Sequence, residues 1–301
     1  MKAGTAWEAG RLRTVGSSKR VLFGEMYEDA EIEVEAFGGN GRIFSIASAG
    51  STAMRLARQH SVVACDINPV QLAYARRRAY GGRREMGDAD KAMSFARMLM
   101  PLVGWRREMV REFLLLSDCE QQELYWRMYL DTRRFRAGFN LLMSRFALRM
   151  VYAPDFLSFL PSHLGSIMRQ RWMRGFATHA NATNPYAWRL LLGEELDDGI
   201  WREANVADRM DFVSADAASY LEGCEPGSFD GFALSNILDG ATPAYRLRLS
   251  HAVARAGGKG AVATIRSFAE PTSHATSNLA CHDRSLLWGV VEARPANSLC
   301  D

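Results

Sequence analysis

The sequence predicts an α/β fold with one open, Rossmann-like sheet that carries a large helical insertion between its second and third strands. Short β-branched and aromatic runs alternate with helical patterns near both ends of the chain. Between residues 88 and 193 this alternation stops, strand patterns disappear, and apolar residues recur at spacings of three and four. Joining the strands on either side of that segment gives a single alternating sheet.

The clearest strand–turn–helix–strand unit spans residues 41–69. Its turn consists of small residues, which let backbone N–H groups at a helix N-terminus approach a ligand. Its second strand ends at Asp66, whose carboxylate can accept both hydroxyls of a ribose. The turn lacks the full glycine fingerprint, and it also fits an ordinary turn with a capping serine or threonine. The candidate ligand-contacting residues of the turn are Ser48, Gly50, Ser51 and Thr52.

Two neighbouring stretches are candidates for the same nucleoside pocket. Asn68 and Gln71 follow Asp66 at the start of the next predicted helix, where they line the adenosine side of the pocket or simply cap that helix. Residues 21–38 carry six carboxylates at spacings that suit a helix or a strand, and we favour a helix. This stretch either packs on the sheet as an amphipathic element or covers the ligand with Tyr27 and its neighbours.

The predicted strands that follow the insertion end in polar or small residues. These residues are Asp216, Ala217, Ser235, Asn236, Asp239 and Arg266. In an open α/β sheet ligands bind outside the carboxyl ends of the strands. Asp216, beside the small Ala217, accepts a hydrogen bond from an adenine amino group or caps the next helix. With Ser48 and Asp66, the set has the layout of a class I S-adenosylmethionine-dependent, methyltransferase-like sheet, whereas a dinucleotide dehydrogenase would normally keep the glycine fingerprint.

Composition narrows the class of protein. Hydrophobic residues make up 48% and charged residues 24% of the 301 residues, as in an ordinary globular protein. Five scattered cysteines without metal-ligand spacing indicate no metal site and a reducing compartment. A net charge of +3 gives no reason to expect a nucleic-acid partner. Because no signal peptide or membrane-spanning run is evident, we expect a cytoplasmic protein that contacts the inner membrane surface peripherally if it docks there.

The predicted domain organisation has three parts. Residues 1–87 form an arm and the first half of the α/β domain, residues 88–193 the helical insertion, and residues 194–301 the second half. Between residues 101 and 190 the insertion carries 13 arginines, no lysine and seven acids. Arginines interleaved with aromatic residues suit an anionic membrane surface or an acyl-chain groove. The alternative is a helical subdomain that packs Met and Phe inward and solvates its arginines.

Six stretches carry a resemblance to a known family. They are, in order, FGEMYED (residues 23–29), IASAGSTA (46–53), VVACDINPVQL (62–72), NPYAWRLLLGE (184–194), LSNILD (234–239) and DRSLLWGVVEARP (283–295). Together they resemble the S-adenosylmethionine:diacylglycerol 3-amino-3-carboxypropyltransferases of betaine-lipid synthesis. The resemblance spans nearly the whole chain, although the middle helices match in position and basic-aromatic character more than in residues.

The resemblance implies an unusual transfer on a methyltransferase-like fold. The free hydroxyl of diacylglycerol attacks Cγ of the methionine moiety of the co-substrate S-adenosylmethionine, giving diacylglyceryl-homoserine and 5′-methylthioadenosine. A betaine lipid would then require a separate N-methyltransferase. Three alternatives stay open: methyl transfer, aminocarboxypropyl transfer to a soluble acceptor, and a non-catalytic module that keeps the fold.

A hydroxyl acceptor is a weak nucleophile, so a general base would help. The candidates for that base are Asp239 and the pair His282–Asp283, while Arg266 or Arg284 would hold the carboxylate of the co-substrate. Each candidate has a structural alternative. Asp239 would be a helix cap, His282 a surface loop residue, and Arg284 the partner of a nearby acid.

Overall fold

The computed structural model describes residues 5–6, 8–11, 20–196, 205–271 and 278–300. Most of the predicted N-terminal arm, residues 1–20, lies outside these described residues. Within them lies one six-stranded sheet, whose strands are β1 (Arg42–Ile46), β2 (Ser61–Asp66), β3 (Met210–Ser214), β4 (Phe229–Ala233), β5 (Gly257–Ser267) and β6 (Val290–Pro295). Their order is β3-β2-β1-β4-β5-β6, and every neighbouring pair is parallel except β5 and β6.

This architecture confirms an α/β protein with a mostly parallel sheet, compatible with a Rossmann-like fold. Helices account for most of the remaining described residues. They are α1 (Glu31–Phe37), α2 (Ser51–Leu56), α3 (Pro69–Ala79), α4 (Asp88–Leu99), α5 (Arg107–Leu114), α6 (Cys119–Tyr125), α7 (Arg133–Leu142), α8 (Arg145–Leu148), α9 (Pro154–Phe159), α10 (Leu164–Phe176), α11 (Pro185–Leu192), α12 (Ala217–Gly223) and α13 (Pro243–Ala256).

The sheet is covered on both faces, as its apolar strands require. Neighbouring residues of a strand point to opposite faces, so Ile43 packs with α2 and α3 while Phe44 packs with α12 and α13. Both side chains are fully buried. After Arg42 the central strand β1 carries no charge and is mostly β-branched or aromatic, and this is why its position was predictable.

Polar caps fix where the helices next to the sheet begin. The Asn68 side chain accepts from the backbone N–H groups of Val70 and Gln71 at the start of α3, and Pro69 occupies the first helical position. Asp216 caps α12 in the same way through the N–H of Ser219. Each cap lies just after a strand, so it also brings a polar side chain to the carboxyl edge of the sheet.

The predicted insertion lies where it was expected, because α4 to α11 follow β2 and α3 and precede β3. Its helices enclose an aromatic core of their own. Trp105 stacks on Phe135 with ring centroids 4.3 Å apart, and Trp126 meets both rings edge-on. Trp126 and Phe135 are fully buried. Among the described residues, no helix has both the length and the apolar character needed to cross a membrane.

Three element boundaries differ from the sequence prediction. Residues 286–293 were expected to be a strand, but β6 begins only at Val290, because Leu286 adopts a φ of 69° that a strand does not allow. Gly257 and Gly258 were expected to form a turn but begin β5, where Gly257 pairs with Phe229 beside an irregularity in the register. In the acidic stretch 21–38, only α1 is helical.

Candidate active site

The candidate site lies where the direction of the sheet's connections reverses. From β1 the chain moves outward to β2 and, after the insertion, to β3, and it then crosses to the other side of β1 with β4. The loops that leave β1 and β4 therefore diverge and open a crevice, the usual ligand position in such sheets. Ser48 and Ser235, one in each loop, have φ values of 45° and 53°. Such left-handed conformations in non-glycine residues are uncommon and cluster at functional sites.

The crevice is a cleft with about 770 Å³ of empty space, including its open mouth. It is lined by Glu8, Gly10, Leu22, Phe23, Ile46, Ser48, Cys65, Asp66, Ile67, Asn68, Gln71, Ala215, Asp216, Ala217, Ser235, Asn236, Ile237 and Tyr245. Eight of the predicted co-substrate residues belong to this lining: Ser48, Asp66, Asn68, Gln71, Asp216, Ala217, Ser235 and Asn236. The remaining predicted residues lie elsewhere.

Asp66 sits at the carboxyl end of β2, on the wall of the cleft. Its Oδ2 accepts from the Ser48 N–H at 3.1 Å, and its Oδ1 accepts from the Asn68 N–H at 2.8 Å. These contacts fix the orientation of the carboxylate at the wall of the cleft.

The side chains of Gln71 and Asn68 mainly hold the backbone of the cleft wall in place through hydrogen bonds. The Gln71 amide accepts from the Leu22 N–H at 2.7 Å and donates to the carbonyls of Phe23 and Ser48 at 2.9 and 2.8 Å. Asn68 caps α3 and donates to the carbonyls of Gly10 and Arg20. Phe23 is thereby held in the lining of the cleft.

Asp216 follows β3, the strand next to β2, and lies at the start of α12. Its Oδ2 accepts from the backbone and the hydroxyl of Ser219 at 2.8 Å, and its Oδ1 accepts from the Tyr245 hydroxyl at 2.7 Å. Burial and the neighbouring Asp216 carboxylate raise the pKa of Tyr245, so this hydroxyl stays a donor. The capping role is therefore present, and the residue also faces the cleft beside Ala217 and Ile237.

Gly50, Ser51 and Thr52 are absent from the cleft lining. Gly50 has a φ of 88°, and a Cβ there would lie 3.1 Å from the Cβ of Ala75, so glycine is needed to seat α2 against α3. The Ser51 hydroxyl donates to Glu25 at 3.3 Å, and the Thr52 hydroxyl donates to Glu28 at 3.4 Å. These side chains join the turn to the acidic stretch 21–38.

Buried acids of that stretch are the main feature missed by the sequence interpretation. Glu28 is buried behind the cleft, and its Oε1 accepts a hydrogen bond from the Ser235 hydroxyl. Burial raises the pKa of Glu28 to about 7, although Arg266 opposes the shift. Buried charges are normally paired. The many arginines outside residues 21–38 therefore indicated that some acids of this stretch would be buried beside them.

Arg266 and Arg284 are bound to those acids and do not line the cleft. Arg266 is fully buried and donates to both carboxylate oxygens of Glu33 and, at 2.9 Å, to Asp283. Arg284 forms a two-point ion pair with Asp29, with one N···O distance of 2.7 Å. The alternative interpretation of Arg284, as the partner of a nearby acid, matches its position.

The candidate bases are placed very differently. Asp283 is buried against Arg266, whereas His282 is exposed, so the structure does not bring the two together as a catalytic pair. Asp239 is 2% exposed and accepts from the Ser267 hydroxyl at 2.7 Å and the Phe268 N–H at 2.9 Å. Burial raises the pKa of Asp239 to about 6, so the group is ionised at neutral pH and is a suitable base. Tyr27 lies off the cleft, where its carbonyl accepts from the Trp288 indole.

A second cavity lies inside the helical insertion, with about 970 Å³ of empty space including its mouth. Its lining is almost entirely apolar and consists of Met93, Ala96, Arg97, Met100, Trp105, Phe139, Leu142, Met143, Leu148, Tyr152, Phe156, Leu160, Leu164, Met168, Trp172, Leu190, Leu191, Phe268 and Leu287. Trp172 is 6% exposed, and its indole N–H has no hydrogen-bond partner among the described residues. Such a cavity fits a long apolar chain that carries at least one acceptor oxygen.

The loop after β4 connects the two spaces. Ser235, Asn236 and Ile237 line the cleft at its start. At its end, a Cβ on Gly240 would lie 3.3 Å from the Cα of Phe156, a cavity residue. The Oδ2 of Asp239 lies 3.5 Å from the Asn236 amide nitrogen and accepts from the Phe268 N–H. Asp239 lines neither space, but this buried carboxylate contacts one residue of the cleft lining and one of the cavity lining.

No family model, curated protein or solved structure matches the chain. Within the described part of the chain, no group of three or more His, Cys, Asp or Glu side chains is arranged to hold a metal ion. The geometry of the cleft and the cavity therefore carries the functional interpretation.

Proposed function

We propose that the protein transfers the 3-amino-3-carboxypropyl group of S-adenosylmethionine to a hydroxyl of diacylglycerol. The single observation that carries this function is the contact of Asp239 with one residue of the cleft lining and one of the cavity lining. A class I methyltransferase-like site needs a nucleoside cleft, and a lipid-modifying enzyme also needs an apolar space that opens near the reacting atoms. The two spaces flank the same loop in this chain.

The cleft suits the adenosine half of S-adenosylmethionine. Asp66 supplies the acceptors for the ribose hydroxyls, while Asp216 faces the adenine amino group. Ile46, Ile67 and Ile237 provide apolar walls for the base. Ser48 and Ser235 stand where the methionine half would leave the cleft towards the loop after β4. The co-substrate is thereby held by polar groups at its edges and by apolar contacts on its faces.

The cavity suits the acyl chains of the acceptor. Nearly all of its wall is aliphatic or aromatic, so a chain moved from water into it gains about 0.8 kcal/mol per buried methylene. The unpartnered indole N–H of Trp172 offers a donor for an ester carbonyl of the lipid. A soluble, polar acceptor would leave this space unused.

The chemical step then follows from positioning and proton removal. The acceptor oxygen forms a bond to Cγ of the methionine moiety, the Cγ–S bond breaks, and 5′-methylthioadenosine leaves with the electron pair. The hydroxyl proton goes to the Asp239 carboxylate. The sulfonium is already a good leaving group, so holding the acceptor in line supplies much of the rate. Ser267 and the Phe268 N–H orient the base for this transfer.

Labelled co-substrate tests this function. We would incubate the purified protein with diacylglycerol micelles and S-adenosylmethionine that carries separate labels on its carboxyl carbon and its methyl carbon. Recovery of the carboxyl label in the lipid fraction, with the methyl label in the nucleoside, supports the proposed transfer. Methyl label in the acceptor would instead indicate a methyltransferase on the same fold, and no binding of co-substrate in calorimetry would indicate a non-catalytic module.

A further inference from the structure

Six exposed large apolar side chains of the helical insertion lie on or beside the elements that form its cavity. We define the apolar rim as Phe95, Met98, Leu102, Leu141, Phe146 and Met150. Exposed fractions run from 58% at Phe95 to 79% at Phe146. The rim residues lie on α4, α7, α8 and the turns that follow α4 and α8. A solvated helix would normally carry polar residues at such positions, so this surface requires a partner.

The rim and the cavity share the same short elements. On α4, Met93 and Ala96 line the cavity while Phe95 and Met98 are exposed. Across the mouth, Leu142, Met143 and Leu148 line the cavity and alternate with rim residues in sequence. The Val103 side chain lies only 2.5 Å from where a Cβ on Gly138 would be. The turn that carries Leu102 and Val103 therefore packs directly against α7. The exposed apolar side chains therefore lie around the mouth of the cavity.

The segments that carry the rim are rich in basic residues, some of which pair with acids outside those segments. Residues 91–107 and 132–154, which hold all six rim residues, contain nine basic residues and no acid. Arg133, Arg134 and Arg149 are exposed and form no ion pair within the part of the chain that the structure describes. Arg134 lies two turns before Leu141 on the same face of α7, and Arg149 directly precedes Met150. Cations thus stand beside the apolar side chains.

We infer that the apolar rim docks on an anionic lipid bilayer, so that the cavity mouth opens into the lipid. A bilayer surface supplies an apolar interior for the rim and negative headgroups for its arginines at once. A second copy of the chain would instead bring the unpaired Arg133, Arg134 and Arg149 towards their own copies, which opposes self-association. This inference rests on the proposed function in one respect: diacylglycerol, the proposed acceptor, resides in the bilayer.

Vesicle partition tests this surface without co-substrate or acceptor. We would compare vesicles of phosphatidylcholine alone with vesicles that contain phosphatidylcholine and phosphatidylglycerol in equal parts, by flotation at low and high salt. Three variants are compared with the wild type, and circular dichroism spectra and melting temperatures are used to check that each of them is folded. They are a rim variant (L141S with F146S), a charge variant (R134Q with R149Q), and a control variant changed at exposed apolar positions of the sheet half (Y80S with L247S).

The wild type and the control variant are expected to bind the anionic vesicles, with binding weakened by salt. Both the rim and the charge variants should partition about tenfold more weakly. Absence of binding by the wild type, or equal binding by the rim variant, would overturn the inference. So would a wild-type dimer in sedimentation velocity that the rim variant converts to monomer.

Failure of this surface and failure of the proposed reaction give different results. Vesicle binding without any transfer to diacylglycerol leaves the surface in place and removes the reaction. Transfer to detergent-dispersed diacylglycerol without vesicle binding retains the reaction and overturns the surface.

Discussion

The backbone N–H of Phe268 donates to the carboxylate of Asp239 across 2.9 Å. Phe268 belongs to the wall of the apolar cavity, whereas Asp239 lies on the loop whose first residues line the polar cleft. This hydrogen bond links a residue of the cavity wall to the loop that begins at the cleft. Arg246 and Arg171 are near enough to influence Asp239, and within the described part of the chain neither forms an ion pair with it.

Asp239→Asn should abolish proton removal while the co-substrate still binds. We expect kcat to fall at least about a hundredfold, the usual contribution of a general base, with the calorimetric Kd for S-adenosylmethionine within about twofold of the wild type. Asp230→Asn is the matched control, since Asp230 is an exposed aspartate near the amino end of β4. Full activity in Asp239→Asn would remove this residue from the mechanism.

The pH dependence of the rate should report the same group. Because burial raises the pKa of Asp239 to about 6, the base is protonated below that pH and ionised above it. The value of kcat/KM should therefore rise about tenfold per pH unit on the acid side and level off above pH 6 to 7. A rate that is flat between pH 5 and 7 in stopped assays would contradict proton transfer to Asp239.

Asp66→Asn should weaken co-substrate binding specifically. An amide keeps one acceptor for the Ser48 or Asn68 N–H but loses the charge and acceptors that a ribose diol needs. We expect calorimetric affinity for S-adenosylmethionine to fall about tenfold to a hundredfold, in line with one or two charge-assisted hydrogen bonds. Asp211→Asn, on the exposed start of β3, should bind normally. Unchanged affinity in Asp66→Asn would place the ribose elsewhere.

Glu28→Gln should change how stability depends on pH. The folded-state pKa of Glu28 is raised from 4.5 to about 7, chiefly by burial. The folded protein therefore binds more protons than the unfolded chain in this range, and this group's contribution to stability is present below pH 4.5 and lost as pH rises through 7. The loss is on the order of 3 kcal/mol.

Glutamine does not titrate, so the urea midpoint of the variant should change less with pH between pH 5 and 7.5 than that of the wild type. Glu35→Gln, an exposed change on α1, is the control and should keep the wild-type slope. A wild-type slope in Glu28→Gln would mean that Glu28 does not titrate in this range.

Leu148→Trp should obstruct the cavity without affecting the cleft. Leu148 lines the cavity and is partly exposed, so the larger ring can enter the space without overpacking a closed core. We expect the apparent KM for micellar diacylglycerol to rise about tenfold, as expected when a few methylenes lose their burial. The Kd for S-adenosylmethionine should stay unchanged, as should both constants in Leu247→Trp on α13. An unchanged KM would mean that the acceptor does not bind in the cavity.

Much of the sheet was predictable because buried parallel strands leave plain signals. The run that forms β1 is apolar and β-branched, and Pro69 and Pro243 mark the first turns of α3 and α13. The residues after each strand follow from the rule that parallel strands end at one edge. That rule placed Ser48, Asp66, Asp216 and Ser235 in one cleft without any knowledge of side-chain contacts.

What escaped prediction depends on pairings across long sequence separations. Ser51 and Thr52 look like cleft residues in the sequence, but their hydroxyls bond to Glu25 and Glu28, more than twenty positions earlier. Arg266 looked available for a carboxylate, yet Glu33 and Asp283 already neutralise it. Spacing along a chain carries no information on which distant charge will be buried beside which.

The identity of the released nucleoside tests the central claim most directly. Purified protein, S-adenosylmethionine and diacylglycerol micelles are incubated, and the nucleoside product is identified by mass spectrometry, with the Asp66→Asn variant as the binding-deficient control. The expected product is 5′-methylthioadenosine, in an amount equal to the modified lipid and strongly reduced in the variant. Release of S-adenosylhomocysteine instead would contradict aminocarboxypropyl transfer.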